Sequence, residues 1–231
     1  MSSPFESRRV QRHAPIREQV AAILRDAIVN MELLPGQVLV ERELCEMTSA
    51  SRPSVREALR QLESEGLVES RNGRGTVVAA PSREQAEQLY EVRGELEGMA
   101  AELFTLRASD AQRAALRVAF AAVAEAAERP DGGMLAAKDQ LYTVLIEGAG
   151  NPILREMVAG LQRRVTQLRA LTLTSPGRPA ESLAEIRAVM AAIEAGDPAA
   201  ARQAATYHVA QAALTALTFV RAVDMAAPAR F

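Results

Sequence analysis

The sequence is poor in cysteine, in aromatic residues and in net charge, and each shortage excludes a class of protein. Its single cysteine, Cys45, excludes an intrachain disulfide and a cysteine-based metal cluster. Aromatic residues make up only 3% of the 231 residues, and together with many alanines this favours closely packed helices over a sheet sandwich. A formal net charge of −2 argues against a protein that coats nucleic acid through bulk charge, although it leaves room for a local basic patch.

Long apolar runs are also missing. No stretch of about 18 apolar residues is present to span a bilayer, and the N-terminal residues MSSPFESRRVQR lack the apolar core of a secretion signal. We therefore expect a cytoplasmic protein that makes no contact with a membrane. Hydrophobic residues account for 48% of the chain and charged residues for 24%, as in ordinary globular proteins, and the length allows one large domain or two small ones.

The first 80 residues predict three helices followed by a β-hairpin. The segment APIREQVAAILRDAIVNMEL carries apolar residues on one helical face, and VERELCEM predicts a second helix with Val40, Leu44 and Met47 facing inward. The third helix is expected to begin after the N-cap Ser51 and to end near Gly66. The strand segments LVES and TVVAA flank RNGRG, whose Asn-Gly pair is a strong hairpin signal. This order is that of a winged helix-turn-helix.

The rest of the chain predicts only helices. Alanine-rich segments separated by Gly, Pro and Ser predict six of them, at residues 83–107, 109–128, 132–149, 152–174, 180–195 and 198–223. The expected fold class is mainly α, with an N-terminal winged helix-turn-helix domain and a C-terminal all-α bundle. The expected divisions are a flexible arm (1–12), the winged helix-turn-helix domain (13–79), a linker (80–84), the helical domain (85–223) and a tail (224–231).

Three arginines of the third predicted helix recur every four residues. With Val55 and Leu59 on the core side, Arg56 and Arg60 point outward, and Arg52 lies at the helix N-terminus. Arginine forms bidentate hydrogen bonds with guanine and also binds phosphate. Since the N-terminal end of a recognition helix is the part that reaches base edges, these residues predict a surface that enters a DNA groove.

Other polar residues surround this row of arginines. Serines flank the helix N-terminus, where free N–H groups favour phosphate, the hairpin turn adds arginines around a glycine, and the preceding helix adds one more arginine. The candidate DNA-contacting residues are Arg42, Ser51, Arg52, Ser54, Arg56, Arg60, Arg71, Asn72, Gly73 and Arg74. The alternative is a solvated helix face whose arginines pair with Glu57 and Glu63.

The segment LVERELCEMTSASRPSVREALRQLESEGLVESRNGRGTVV resembles the DNA-binding domain of the GntR transcription regulators, and the resemblance extends over residues 16–78. It implies that Arg42 holds phosphate, that Arg52 and Arg56 read guanine, and that Gly73 brings the wing tip into the minor groove. The family often has Gly-Val before the Ser-Arg pair and Thr-Pro after it. This chain has Ser49-Ala50 and Pro53-Ser54 at those positions. The fold is expected to tolerate these changes, but the exact operator does not follow from the resemblance.

The helical half resembles the effector-binding domain of the FadR subfamily, the type called FCD. The segments EVRGELEGMAAELFTLRA, DQLYTVLIEGAGNPIL and IRAVMAAIEAGDPAAARQAATYHV carry the resemblance, and six helices indicate the VanR-like branch. Members commonly hold a divalent metal with one aspartate and three histidines. Asp139 and His208 match two of these ligands, whereas Thr143 and Ile186 stand at the other two positions. Because tight metal sites need three or four protein donors, we expect no metal ion, and we expect no other cofactor.

The resemblance also implies a pocket for a small-molecule effector, which we expect to be an organic acid. Its expected lining is Arg93, Asp139, Tyr142, Thr143, Ile186 and His208. Arg93 suits a carboxylate because a guanidinium is a bidentate donor. Two alternatives remain open: Arg93 forms an i,i+4 salt bridge with Glu97, and His208 is a packed histidine bonded to Asp139.

Together these features predict a homodimeric, effector-responsive transcription regulator, which in this family is most often a repressor. Since one recognition helix covers only a few base pairs, two copies are expected to read a short inverted repeat in double-stranded DNA. One alternative is a constitutive DNA-binding protein with a non-functional pocket. We expect no enzyme, because the chain has no Gly-rich phosphate loop, no Ser/His/Asp grouping and no lysine in a cofactor-binding context.

Overall fold

The computed structural model describes residues 15–29, 32–71, 73, 75–80, 82–129, 133–173 and 175–226. The chain divides between Ala79 and Ala80 into an N-terminal and a C-terminal unit. Both units are dominated by helices, which confirms the mainly α fold class. In the part of the chain that the structure describes, no helix is long and apolar enough to cross a membrane.

The N-terminal unit consists of three helices and a hairpin. Its elements are α1 (Ile16–Val29), α2 (Glu41–Thr48), α3 (Arg52–Ser64), β1 (Val68–Arg71) and β2 (Gly75–Val78). The two strands pair antiparallel, with Val68 opposite Val78. Val38 also forms a bridge with Val77, so the stretch before α2 lies along the other edge of β2, a contact that the sequence did not indicate.

The core of this unit is aliphatic. Leu24 and Ile28 of α1 pack with Val55 and Leu62 of α3, and all four side chains are fully buried. This burial holds α3 through its apolar face and leaves the opposite face in solvent, as the 3.6-residue period requires.

The prediction for α2 was wrong at two of its three apolar positions. Leu44 is buried, but Val40 and Met47 are exposed. Val40 is the extended N-cap residue, so it precedes the helix and does not share its inward face.

The C-terminal unit is a bundle whose helices agree with the predicted ones to within three residues at each end. They are α4 (Arg83–Arg107), α5 (Asp110–Ala127), α6 (Met134–Gly148), α7 (Pro152–Leu173), α8 (Arg178–Glu194) and α9 (Pro198–Ala226). Ser82 and Ser109 begin α4 and α5 with capping boxes, in which Gln85 and Gln112 return the hydrogen bond. These local signals explain why the sequence predicted the boundaries well.

Small residues allow the helices of this bundle to approach closely. A Cβ atom at Gly98 of α4 would lie only 2.6 Å from Oγ1 of Thr206 on α9, and one at Gly148 would overlap the ring of Phe104. The long helices α4 and α9 therefore pack along each other, and together with α6, α7 and α8 they surround the interior of the unit. The charged side chains described below lie in this interior.

Candidate functional site

The N-terminus of α3 is built to present polar groups. Ser51 is the N-cap residue, and its Oγ accepts a hydrogen bond from the Ser54 amide at 3.4 Å and lies 3.0 Å from the Ser54 hydroxyl. Pro53 occupies the first helical turn, where its missing N–H costs nothing. This start exposes Arg52 at the tip of the helix.

The outward face of α3 carries the three predicted arginines, and all three are exposed. Arg56 donates from Nε to Oε1 of Glu41 on α2 at 2.7 Å, and the pKa of Glu41 is lowered, chiefly by this hydrogen bond. Arg60 pairs with Glu57 at 2.5 Å. Such exposed ion pairs are weak, so DNA phosphates and bases can displace the carboxylates.

The alternative of paired arginines is partly met, because Arg60 pairs with Glu57 as that alternative expected, whereas Arg56 pairs with Glu41. Glu63, expected to pair with the arginines, instead accepts the Ser70 amide at 3.1 Å. Glu41 belongs to another helix, and no i,i+4 spacing could have revealed its contact with Arg56.

The remaining predicted DNA contacts lie on α2 and on the hairpin. Arg42 is exposed and lies 3.9 Å from Glu46, and Arg71 pairs with Glu69 at 2.6 Å. Gly73 is exposed in the turn with a φ of 77°, a left-handed conformation that glycine adopts without strain. Asn72 and Arg74 lie outside the described residues.

A second polar site occupies the interior of the C-terminal unit, where it forms a hydrogen-bonded chain. Lys138 donates from Nζ to Oγ of Ser182 at 2.8 Å and lies 3.3 Å from Nε2 of His208. Nδ1 of His208 is 2.5 Å from Oε2 of Glu185, whose carboxylate also accepts two hydrogen bonds from Arg178 at 2.6 and 2.7 Å. Since Nδ1 donates to the carboxylate, Nε2 is the acceptor that faces the Lys138 amine.

Burial and neighbouring charges set the ionisation of this chain. Burial lowers the pKa of His208 to about 3, and the nearby Lys138 contributes to the decrease, so the imidazole is neutral. Burial also lowers the pKa of Lys138, and the positive charges of Arg169 and Arg93 lower it further. Burial opposes ionisation of Glu185, but its hydrogen bonds with His208 and Arg178 hold its pKa at about 2.

Arg93 and Glu97 form a fully buried ion pair on α4. Nε of Arg93 donates to Oε1 of Glu97 at 2.6 Å, and both side chains are only 2% exposed. The i,i+4 salt bridge considered from the sequence is therefore present. It does not use the whole guanidinium, because Nη1 of Arg93 has no hydrogen-bond partner among the residues that the structure describes.

Arg169 of α7 brings a second guanidinium into the same interior. Its Nη1 pairs with Asp139 at 2.5 Å, its side chain is 5% exposed, and its guanidinium lies 5.5 Å from the centre of the Tyr142 ring. Its Nη2 also lacks a partner within the described part of the chain. Arg93 and Arg169 both act on the ionisation of Tyr142 and Lys138, so the four side chains share one buried region.

An apolar cavity lies beside this region. Its lining includes Leu141, Tyr142, Leu145, Ile186, Met190 and Ala205. Tyr142 also contacts Arg169, so one residue lies at both the cavity and the charged region.

The structure brings four of the six predicted effector residues to this interior: Arg93, Tyr142, Ile186 and His208 are all buried. Thr143 does not belong to it, since its side chain is exposed and its hydroxyl donates to the carbonyl of Asp139. Asp139 is half exposed and contacts Arg169, and His208 bonds to Glu185 instead.

The physical reason lies in the rotation of α6 about its axis. Lys138, Leu141, Tyr142 and Leu145 are buried and follow helical spacing, so Asp139 and Thr143 fall one position round from the inner face. The sequence analysis missed Lys138, Arg169, Arg178, Ser182 and Glu185 as interior residues. One signal for Lys138 was present in the sequence. The residues at i, i+3, i+4 and i+7 from this lysine, the only one in the chain, form a stripe that indicates the inner face of the helix.

The interior does not fit the divalent metal that the resemblance implies. Asp139 pairs with Arg169, Nδ1 of His208 pairs with Glu185, and the other nitrogen of the imidazole faces Lys138 rather than an open position. Among the residues that can be described, no three His, Cys, Asp or Glu side chains are placed to hold a metal ion.

Comparison with known proteins gives matches to both units. Residues 16–78 match the family model of the gntR family of bacterial regulatory proteins, and residues 88–211 match that of the FCD domain. The "Probable D-xylose utilization operon transcriptional repressor" of Paenarthrobacter nicotinovorans is 33% identical over 203 residues, which cover 84% of this chain and 87% of that protein.

Other similarities are confined to one unit or to the fold. The transcriptional repressor NagR of Bacillus subtilis is 45% identical over 75 residues, covering 32% of this chain and 31% of that protein. A GntR transcriptional regulator from Rhodococcus sp. RHA1 has a similar structure, with a TM-score of 0.77 and 23% identity over 89% of this chain and 99% of that one. Escherichia coli McbR/YncC has a TM-score of 0.73 and 22% identity, covering 90% and 98% of the two chains.

Proposed function

Because the chain belongs to the GntR family of bacterial transcription regulators and carries an FCD domain, we propose that it is a repressor that binds an operator as a homodimer and is released by a small organic acid. GntR proteins bind DNA through the winged helix-turn-helix, and the FCD domain binds the effector. The family consists of DNA-binding regulators and not of enzymes. The proposed place of action is the cytoplasm, where the operator is.

The observation that carries this proposal is the exposed row of arginines on α3. Arg52, Arg56 and Arg60 lie in solvent, while Val55 and Leu62 hold the opposite face in an aliphatic core. The proposed reading is that Arg52 and Arg56 bind guanine in the major groove, because a guanidinium matches the O6 and N7 acceptors of that base. Arg60, Ser51 and Ser54 are proposed to contact phosphates beside them, since these groups surround the helix N-terminus.

The flanking elements support contacts on either side of the groove. Arg42 on α2 is proposed to hold the backbone, and Gly73 is proposed to let the wing tip approach the minor groove closely. Arg71, Asn72 and Arg74 of the hairpin are proposed to add contacts there.

The proposed control by an effector rests on the interior of the helical unit. Two buried guanidinium groups each keep one nitrogen without a hydrogen-bond partner in the described part of the chain, which favours a working anion pocket over a non-functional one. Effector binding would change the spacing or mobility of the two DNA-binding units, and by linkage operator DNA would weaken effector binding by the same factor.

The test is selection of bound sequences from a random DNA pool, followed by affinity measurements on the selected site. We expect an inverted repeat with guanines in each half-site. We expect Arg52→Ala and Arg56→Ala each to weaken binding by roughly tenfold or more and to relax the preference at one position per half-site.

Arg117→Ala is the matched control, because Arg117 is an exposed, ion-paired arginine on α5 of the other unit. It should leave the affinity unchanged. If the folded Arg52 and Arg56 variants selected the same sequence with unchanged affinity, α3 would not be the recognition helix.

A further inference from the structure

We propose that Glu41 is a positioning residue for DNA recognition: it holds the guanidinium of Arg56 so that both terminal nitrogens face a guanine, and it thereby strengthens the preference for that base. This inference rests on the proposed function, because it assumes that Arg56 reads guanine. It assigns a role to a residue that the sequence did not place among the DNA contacts.

The first argument concerns which nitrogen of Arg56 is bound by Glu41. Nε of Arg56 donates to Oε1 of Glu41 at 2.7 Å, whereas neither Nη1 nor Nη2 donates a hydrogen bond to a residue that the structure describes. Guanine presents two acceptors, O6 and N7, which match two N–H groups of one guanidinium. Glu41 therefore fixes the side chain and leaves both terminal nitrogens for the base. A guanine that approaches the end of Arg56 does not have to displace the carboxylate.

Two other arginines of the DNA-binding unit are held differently. Arg60 donates from its terminal nitrogen Nη1 to Glu57, which lies three residues away on the same helix. Arg71 engages Glu69 with both Nε and Nη2, at 2.8 and 2.6 Å. In both pairs a terminal nitrogen faces the carboxylate, so a base would compete with it. Arg56 is held through Nε and from a neighbouring helix, which is the arrangement that a positioning contact needs.

Both residues of the contact extend from backbone that folding has already fixed. Glu41 is the first residue of α2, and the Leu39 amide just before it donates to the Thr76 carbonyl of β2 at 2.8 Å. Arg56 follows Val55, whose side chain is fully buried in the aliphatic core. Only the two side chains therefore lose conformational freedom when the pair forms.

The charge of Glu41 also suits this role. Glu41 lies in the first turn of α2, where the helix dipole favours a carboxylate. The hydrogen bond from Arg56 is the main cause that lowers its pKa, and the positive charge of Arg52 lowers the pKa as well. In the free protein an exposed pair contributes little, but in a DNA groove solvent screens it less strongly.

The test uses the full chain and duplexes that carry the operator found by the DNA selection. The position read by Arg56 is the one at which Arg56→Ala relaxes the base preference, and fluorescence anisotropy compares duplexes with G·C and with A·T at that position. We expect Glu41→Ala to reduce this discrimination by roughly three- to fivefold, the upper range for an exposed ion pair. Glu41→Gln keeps an oxygen acceptor for Nε and should retain most of the discrimination.

Glu43→Ala is the matched control. Glu43 lies in the same first turn of α2, is exposed, and forms no ion pair with any residue in the described part of the chain. Both alanine variants remove one negative charge from this turn, so any general effect on the attraction to phosphates should be similar. Glu43→Ala should keep the discrimination of the unaltered protein. Thermal unfolding followed by circular dichroism checks that each variant is folded.

A double-mutant cycle tests whether the effect of Glu41 acts through Arg56. In the Arg56→Ala background, Glu41→Ala should cause no further loss of discrimination, because the side chain that it positions is gone. Three outcomes would overturn the positioning role: an equal loss from Glu41→Ala with and without Arg56, an equal loss from Glu43→Ala, or a loss from Glu41→Gln as large as that from Glu41→Ala.

The same measurements separate a failure of this inference from a failure of the proposed function. Unchanged discrimination in Glu41→Ala together with a clear loss in Arg56→Ala would reject the role of Glu41 and keep α3 as the recognition helix. Unchanged discrimination in Arg56→Ala at every position would reject the reading of guanine by Arg56, and the role of Glu41 with it.

Discussion

At the scale of single residues, His208 shows how burial determines charge. The imidazole is 1% exposed, with Glu185 on one nitrogen and Lys138 on the other, and Arg93 also acts on its ionisation. Burial and Lys138 outweigh the carboxylate, so the pKa of His208 falls to about 3 from an ordinary value near 6.5. Between about pH 3 and pH 6.5, His208 is therefore neutral in the folded protein and protonated in the unfolded chain.

This difference predicts an acid-sensitive stability. Below pH 6.5 the unfolded state binds a proton at His208 that the folded state does not bind, so stability falls as the pH decreases toward 3. Between pH 7.5 and pH 5 we expect a loss of about 2 kcal/mol in the free energy of unfolding from this residue. Urea denaturation at the two pH values, with and without His208→Asn, measures it.

The asparagine variant can still donate to Glu185 but does not titrate in this range. Glu185 does not affect the comparison between pH 7.5 and pH 5. Folding lowers its pKa from 4.5 to about 2, so the stability that its carboxylate contributes is lost only at a lower pH. An equal loss of stability in the two proteins would mean that His208 is not the source.

At the scale of elements, the turn between α2 and α3 contains a residue in an unfavourable conformation. Ser49 has a φ of 52°, and it is the only described residue other than glycine with a positive φ. The left-handed region costs a residue with a Cβ about 1–2 kcal/mol, whereas glycine enters it freely. Glycine would therefore suit this position of the turn better than serine.

We therefore predict that Ser49→Gly stabilises the protein. The expected gain is up to about 1 kcal/mol in the free energy of unfolding, since part of the relief is offset by the greater freedom of glycine in the unfolded chain. Chemical denaturation measures the change. Ser64→Gly, in the last turn of α3, is the matched control and should destabilise the protein instead. A decrease in stability for Ser49→Gly would show that the turn carries no strain.

The elements also show how far sequence reasoning reached. The boundaries of α4 and α5 were predicted from breaks in the alanine-rich pattern, and the structure shows that the capping boxes of Ser82 and Ser109 start these helices. The short helix α2 was misjudged, since an eight-residue helix shows too little periodicity to define its inner face. The pairing of the stretch around Val38 with β2 joins segments distant in sequence, and local pattern could not predict it.

At the scale of the whole molecule, the proposed homodimer makes a prediction about DNA geometry. Two recognition helices related by a two-fold axis require a fixed distance and rotation between the half-sites. Inserting one base pair between the half-sites rotates one of them by about 34° relative to the other. We expect the affinity to fall toward that of a single half-site, as measured by fluorescence anisotropy on labelled duplexes.

The control replaces the central base pair without changing the length, which should have a much smaller effect. If the inserted site were bound as tightly as the original, the two DNA-binding units would act independently and the rigid two-fold arrangement would be wrong. Sedimentation of the free protein as a monomer at the same concentration would contradict the homodimer itself.

By itself the sequence determined the number and length of most helices, the hairpin, the family and the exposed arginines of α3, because periodicity, caps and turn residues act over a few positions. The tertiary structure alone decided which side of α6 faces inward, so that Lys138 and not Thr143 entered the core. It also decided that Arg169 of α7 meets Tyr142 and that Glu185 of α8 meets His208. These contacts depend on how five helices rotate against one another, and that rotation is chosen by the packing of the whole bundle.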